Sequence, residues 1–226
     1  MRTTPRSSGC STNGSSTVRW TLLAESSRPE PVSDLEVACR VALSSTADLG
    51  LGCALVGGFA VSVRVEPRFT RDIDIAVAAE DDLVAEALIR DLVARGHTPV
   101  ATVEQQSVER LATARIRLAD GQILDLLFAS SGIEPELVAA AEQTEILPGL
   151  SIPVATVGHL IALKVLARDD VARPQDLVDL RMLLGVAGPE DIEAARTALE
   201  LIDGRGYGRG RDLTAELGRL RPDPQG

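Results

Sequence analysis

The stretch that decides the fold is CALVGGFAVSVRVEPRFTRDIDIAV, residues 53–77. A short apolar run, CALV, meets Gly57-Gly58, and FAVSVRVE follows with the character of a helix that is broken at Pro67. RDIDIAVA then alternates charged and aliphatic residues with a period of two, which predicts a strand. Strand, glycine turn, helix and strand in this order favour a mixed α/β layer.

The same kind of pattern extends outward from this stretch. DLEVACRVALSSTADLG and EDDLVAEALIRDLVARG have the spacing of amphipathic helices. TARIRLADGQILDLLFA predicts a hairpin that turns at Asp120-Gly121, and TEILPGLSIPVAT predicts a smaller one at Pro148-Gly149. PELVAAAEQ predicts a short helix, and the pattern is helical from Thr156 onward, with Pro174 in a first-turn position.

These elements divide the chain into three predicted regions. Residues 1–33 are rich in Ser, Thr and Arg and hold few apolar residues, so we expect a disordered tail there. Residues 34–155 carry the strands and form an α/β core, and residues 156–226 form a helical region. The expected fold class is therefore α+β, with a mixed sheet, flanking helices and a C-terminal helical bundle.

Composition excludes several classes of function. The net charge is −10 and aromatic residues make up 2% of the chain, which argues against a basic nucleic-acid coat and against base-stacking platforms. Three cysteines without a CxxC pair indicate a reducing compartment, so we expect a cytoplasmic protein. The sequence holds no run of about 18 apolar residues, which is the length that crosses a bilayer.

Asp72 and Asp74 are the first candidate site residues. Residues i and i+2 of a strand point to the same face, and two carboxylates there repel each other unless a cation lies between them. Such hard oxygen ligands suit Mg²⁺. The ordinary alternative is a solvated edge strand. Gly57 and Gly58 would let a phosphate approach the backbone, although paired glycines also occur in ordinary turns.

Asp125 interrupts the apolar run ILDLLFA, which we expect to be a strand inside the sheet. A lone buried carboxylate there would be costly, so Asp125 is predicted to join the two acids around paired metals. The alternative is an ion pair across the hairpin with Arg115 or Arg117.

Lys164 is the only lysine of the chain and has apolar helix neighbours. A compact ammonium in such a place suits a phosphate, whereas the alternative is a lysine that reaches the solvent. Asp179, one helix later, either orients Lys164, touches the ligand or is an exposed helix acid.

Other sites fit the sequence poorly. His97 and His159 lack neighbouring ligands at metal-binding spacing, and the sequence contains neither a G-x-S-x-G elbow nor a P-loop. The Arg205, Arg209 and Arg211 cluster either contacts RNA or belongs to a flexible linker, and we expect the linker.

LVGGFAV followed by R-x-T-x-D-I-D resembles the AbiEii/AbiGii toxin family of nucleotidyltransferases, within the DNA-polymerase-β-like superfamily. The segment ALKVLARDDVARPQDLVDL resembles the same family's downstream motif, a helix lysine followed by R-P-x-D-h-x-D-h. Together these motifs span about residues 50–185. Gln175 departs from the motif, which commonly has a basic residue there.

The resemblance implies Mg²⁺-dependent transfer of a nucleoside monophosphate from an NTP to an acceptor, in some members the 3′ end of tRNA, and a cognate antitoxin as partner. The roles that it implies are metal binding by Asp72 and Asp74, triphosphate contacts by Gly57 and Gly58, and phosphate binding by Lys164. It also implies that Asp179 supports the site, that Thr70 lies at the metal or phosphate edge, and that Arg68 of the same motif belongs to the nucleotide-binding residues.

Two other functions stay open from the sequence. One is an antibiotic-type nucleotidyltransferase with a small acceptor, which uses the same acids and which the net charge of −10 mildly favours. The other is a non-catalytic nucleotide-binding or partner-binding module, against which the three acids and the lysine together argue.

Overall fold

A computed structural model of the chain describes residues 34–66, 72–169 and 174–220, without the side chain of Asp34. The predicted tail over residues 1–33 lies outside the described residues, and so do the candidate site residues Arg68 and Thr70.

Seven strands and eight helices occupy the described part of the chain. The strands are β1 Cys53–Val56, β2 Ile73–Val77, β3 Thr98–Gln105, β4 Arg110–Arg117, β5 Ile123–Leu127, β6 Glu142–Leu147 and β7 Leu150–Val154. The helices are α1 Asp34–Asp48, α2 Gly57–Arg64, α3 Asp82–Ala94, α4 Glu134–Ala139, α5 Val157–Ala167, α6 Pro174–Val186, α7 Pro189–Gly204 and α8 Leu213–Leu220.

The strands form one mixed sheet in the order β3-β4-β5-β2-β1-β7-β6. β2 pairs antiparallel with β1 and parallel with β5, and β1 pairs parallel with β7. β2 is thus the fourth of seven strands, and Ile73 and Ile75 are fully buried. The edge-strand interpretation of Asp72 and Asp74 is therefore wrong.

Helix α5 organises the C-terminal half. It contacts α2 on the core side and α6, α7 and α8 within the helical region. Leu160, Ile161 and Val165 of α5 are buried, which accounts for its long apolar sequence. The α+β class, with a mixed sheet followed by helices, is confirmed. No helix among the described residues is long and apolar enough to cross a bilayer.

Strand β3 has no counterpart in the sequence-based prediction. Seven of its eight residues are exposed, so TPVATVEQ lacks the apolar face that identifies a strand in a sequence. It lies at the sheet edge and pairs only with β4. Pro99 suits an edge strand because proline donates no ladder hydrogen bond.

The segment after α7 is packed, and the flexible linker predicted there is wrong. Tyr207 is buried against Gly132, where an added Cβ would lie 2.5 Å from the ring. Arg205 donates to the Gly132 carbonyl and forms an ion pair with Glu136. Arg205 and Tyr207 thus anchor this segment to the loop after β5.

Candidate active site

The junction of β1 and α2 brings backbone N–H groups next to an acid. Gly57 has φ +65°, and a Cβ there would lie 1.9 Å from Asp74 Oδ2, so both conformation and space require glycine. The residue before the helix, Val56, has no side chain that could cap the first N–H groups, and the first turn holds no acid. Such a helix start attracts anions.

Three carboxylates lie close together beside this junction. Asp74 is in register with Asp125 on the neighbouring parallel strand β5, and Asp72 precedes β2 by one residue. Burial, together with the charges of Asp125 and Asp72, raises the pKa of Asp74 to about 6, although Lys164 acts in the opposite direction. The cluster therefore holds repelling negative charge, which a cation would relieve.

Asp125 forms the ion pair that the sequence left open as an alternative. Nε of Arg115 lies 2.8 Å from Asp125 Oδ1, and Nη2 lies 2.6 Å from Oδ2. The same Nη2 is 4.0 Å from Asp72 Oδ2. Arg115 is the cross-strand partner of Asp125, whereas Arg117 lies opposite Ile123. A cationic side chain therefore bridges two of the three acids.

Of the three carboxylates, those of Asp72 and Asp74 suit a hard divalent cation. Within residues 34–66, 72–169 and 174–220, no three His, Cys, Asp or Glu side chains are grouped so that they could hold a metal ion. Asp72 and Asp74 provide the one or two carboxylates that Mg²⁺ commonly takes, and the Arg115 guanidinium engages the third acid.

Lys164 is held between two acids of α6. Its Nζ lies 2.7 Å from Asp176 Oδ1 and 2.8 Å from Asp179 Oδ2, and its side chain is 12% exposed. Asp179 is fully buried, and its Oδ1 accepts a hydrogen bond from Gln175. The interpretations of Lys164 as a surface lysine and of Asp179 as an exposed acid are therefore wrong. Asp179 contacts Lys164, as one of the sequence interpretations has it.

These groups line one cleft of about 600 Å³. Gly57, Gly58, Asp72, Asp74, Asp125 and Lys164 all contribute to its walls. Further lining comes from apolar and polar side chains of β3, β4 and β5, from apolar side chains of α5, and from Ser130, Ser131, Asp176 and Arg209. The structure thus brings together every described candidate residue except Asp179, which does not line the cleft itself.

The loop after β5 is braced by a buried carboxylate. Glu134 is 2% exposed and accepts hydrogen bonds from the backbone N–H groups of Ser130, Ser131 and Gly132 and from both serine hydroxyls. This brace holds Ser130 and Ser131 at the cleft wall.

Sequence reasoning missed six polar residues of the cleft, among them Gln105 and Thr113. Ser130, Ser131 and Asp176 did not enter the prediction, and Arg209 was assigned to a linker. Asp176 had a usable signal, because it stands in the helical motif R-P-x-D. Arg209 had a weaker one, the two flanking glycines.

Comparisons with known proteins agree with this geometry. A family model described as "Nucleotidyl transferase AbiEii toxin, Type IV TA system" matches residues 41–225. No curated protein matches the sequence significantly.

Several solved structures resemble the chain at low identity. The antibiotic-resistance factor ANT(2″)-Ia has a TM-score of 0.49 and 17% identity, over 75% of this chain and 91% of that one. The lincosamide antibiotic adenylyltransferase LnuA has a TM-score of 0.42 and 15% identity, over 67% of this chain and 98% of that one. The Thermotoga maritima CCA-adding enzyme, in complex with tRNA, has a TM-score of 0.38 and 18% identity, over 88% of this chain and 50% of that one.

The family match decides the assignment, because it spans far more than half of the chain and includes the β1–α2 junction, the acids of β2 and β5, and the lysine of α5. The chain is a nucleotidyltransferase and belongs to the AbiEii family.

Proposed function

We propose that this protein transfers a nucleoside monophosphate from an NTP to an RNA acceptor, with tRNA as the candidate, in a reaction that depends on Mg²⁺. The observation that carries the proposal is the register of β2 and β5. It places Asp74 beside Asp125, in a cleft that also receives Gly57 and Lys164.

Some residues of the cleft would bind the charged substrates, and others hold those binding groups in position. Asp72 and Asp74 would hold Mg²⁺, which when bound neutralises phosphate charge during the transfer. The N–H groups at Gly57 and Gly58 and the ammonium of Lys164 bind the triphosphate. Nucleotide binding by Arg68 and Thr70 stays a prediction from the sequence motif, because both lie outside the described residues. Asp179 keeps the ammonium of Lys164 in place through the contact at 2.8 Å.

The reaction is a substitution at the α-phosphorus. The acceptor hydroxyl oxygen forms a bond to that phosphorus, the bond to the bridging oxygen breaks, and pyrophosphate leaves. The hydroxyl proton goes to water. The carboxylates and the lysine fix the two reacting groups next to each other, which supplies much of the rate enhancement in such transfers.

Asp125 is proposed as a third metal ligand, and this role requires a change at Arg115. The guanidinium occupies both carboxylate oxygens of Asp125 in the structure described here. A divalent cation that engages Asp125 must displace this side chain. Because the Arg115 side chain is 47% exposed, it has solvent into which it can move.

The biological role that we propose is that of a cytoplasmic toxin with a cognate antitoxin. The support is the family description, which names a type IV toxin–antitoxin system. Expression of the wild-type chain should then arrest growth, whereas Asp74→Asn should not.

The test of the acceptor uses label on the transferred group. The full-length chain is incubated with each NTP labelled at the α-phosphate, Mg²⁺ and total tRNA. We expect label on the RNA with at least one NTP, and none with EDTA or with Asp74→Asn. In parallel incubations an aminoglycoside or a lincosamide replaces the tRNA, and label that forms only there would support a small-molecule acceptor. Label on none of these acceptors would contradict the proposed function.

A further inference from the structure

Arg209 reaches the cleft from the helical half of the chain. It lies between α7 and α8, more than 80 residues from Asp125 in sequence, yet both residues line the same 600 Å³ space. Among the described residues, Lys164 and Arg115 are the other cations that line this space. The proposed function gives Arg209 no role.

The residues around Arg209 are fixed to other parts of the fold. On one side, Tyr207 is buried against Gly132, and the Gly206 carbonyl accepts a hydrogen bond from the Ser107 hydroxyl. On the other side, Arg211 donates to the carbonyls of Val165 and Leu166 at the end of α5 and pairs with Glu216. The segment is thus held at both ends.

The backbone at Arg209 is unusual for an arginine. Its φ is +57°, and within the described parts of the chain only Glu109 shares a positive φ among residues other than glycine. Left-handed backbone costs free energy for such side chains and persists where the surroundings enforce it.

The flanking glycines are needed for the same turn. Gly210 also has a positive φ, and a Cβ on Gly208 would lie 1.9 Å from Asp203 Oδ1. A strained, anchored turn in the wall of a cleft is typical of a functional position.

We propose that Arg209 binds a phosphate group in the cleft. A guanidinium matches a phosphate through two parallel hydrogen bonds and keeps its charge at every physiological pH. The phosphate comes either from the triphosphate of the NTP or from the backbone of the RNA acceptor. This inference rests on the proposed function for the identity of the two substrates.

The choice of variant separates binding from folding. Arg209→Asn removes the guanidinium while asparagine tolerates left-handed backbone, so the turn should persist. Arg196→Asn is the matched control, because Arg196 lies half-exposed on α7, pairs with Glu193 and does not line the cleft. Arg209→Lys keeps the charge and loses the planar fork.

Two binding measurements distinguish the sources of the phosphate. The first is calorimetric titration of full-length protein with each Mg²⁺–NTP, without acceptor. The second is fluorescence anisotropy of a labelled tRNA without NTP, at several salt concentrations. Melting temperatures of all variants are recorded beside them.

We expect Arg209→Asn to weaken binding in one measurement by about tenfold or more, with Arg209→Lys between it and the wild type. If the phosphate belongs to RNA, the slope of log affinity against log salt also falls by about one unit. The melting temperature should stay within about 3 °C of the wild type, and Arg196→Asn should bind as the wild type does.

Unchanged binding of both probes by Arg209→Asn would overturn the inference, and so would a large fall in melting temperature without a change in binding. A wild-type chain that binds neither probe would contradict both the inference and the proposed function. Failure of Asp74→Asn to abolish transfer would contradict the proposed function alone, because the binding measurements require no turnover.

Discussion

At the scale of single residues, Asp74 is the acid of the proposed site whose charged form is disfavoured by burial and by two neighbouring carboxylates. Its pKa of about 6 lies above the ordinary value of 3.8 because the carboxyl is buried near Asp125 and Asp72. Well below pH 4 the carboxyl is protonated in both the folded and the unfolded state and its pKa shift has no effect on stability. Between pH 4 and 6 the unfolded state releases the proton while the folded state keeps it, so stability falls by on the order of 3 kcal/mol and stays at that lower level above pH 6.

Asp74→Asn should therefore stabilise the metal-free protein at pH 7.5, by on the order of 5 °C in melting temperature, and leave it nearly unchanged at pH 3. The measurement is a pair of thermal melts in EDTA, with the exposed turn variant Asp120→Asn as control. A melting temperature at pH 7.5 below that of the wild type would refute the repulsion argument.

Lys164 pairs with two acids of α6, which the sequence did not establish, and this pairing changes how its phosphate role must be tested. Lys164→Met would remove the ammonium that contacts the fully buried Asp179, so we expect a loss of about 3–5 kcal/mol in unfolding free energy. Lys164→Met/Asp179→Leu should recover most of that stability, yet transfer should stay at least about tenfold reduced. Urea unfolding and transfer rates check this, and wild-type transfer by the double variant would exclude the phosphate role.

At the scale of elements, the β1–α2 junction offers a matched pair of glycines. Gly57 and Gly50 have φ +65° and +67°, but a Cβ on Gly50 meets nothing within 4 Å, whereas one on Gly57 meets Asp74. Alanine at either position should cost about 1–2 kcal/mol from the backbone alone. Only Gly57→Ala also displaces the carboxylate.

We expect Gly57→Ala to reduce transfer by about a hundredfold and Gly50→Ala to leave it near the wild-type rate. Initial rates at saturating NTP, normalised to folded protein from circular dichroism, provide the measurement. Equal rates in the two variants would mean that the position of Asp74 does not matter.

The β4–β5 hairpin tests whether Asp125 binds metal. Arg115→Ala removes the partner of a carboxylate that is 6% exposed, and we expect a loss of about 1–3 kcal/mol, since Arg115 itself is half exposed. If Asp125 is a metal ligand, millimolar Mg²⁺ should raise the melting temperature of Arg115→Ala more than that of the wild type. Arg117→Ala, two residues along the same strand, is the control, and an equal Mg²⁺ response in all three proteins would leave Asp125 as a structural ion-pair residue.

At the scale of the whole molecule, the sequence predicted the strands best where one buried face makes apolar residues recur at regular spacing. The alternation in RDIDIAVA predicted β2, and both hairpin turns predicted the paired strands, because apolar faces and turn residues are local signals. The exposed edge strand β3 has no such face. The contact of Asp176 with Lys164 and the approach of Arg209 to the cleft depend on how separate segments pack, which no local pattern encodes.

The central claim is that Asp72 and Asp74 together support a metal-dependent transfer. Its most direct test is the initial rate of pyrophosphate release from NTP with total tRNA and Mg²⁺, for the wild type, Asp72→Asn, Asp74→Asn and the surface control Asp120→Asn. We predict release by the wild type and the control, and a loss of at least about a hundredfold in both site variants while their folds persist. Release at more than a few per cent of the wild-type rate by either site variant would contradict the claim.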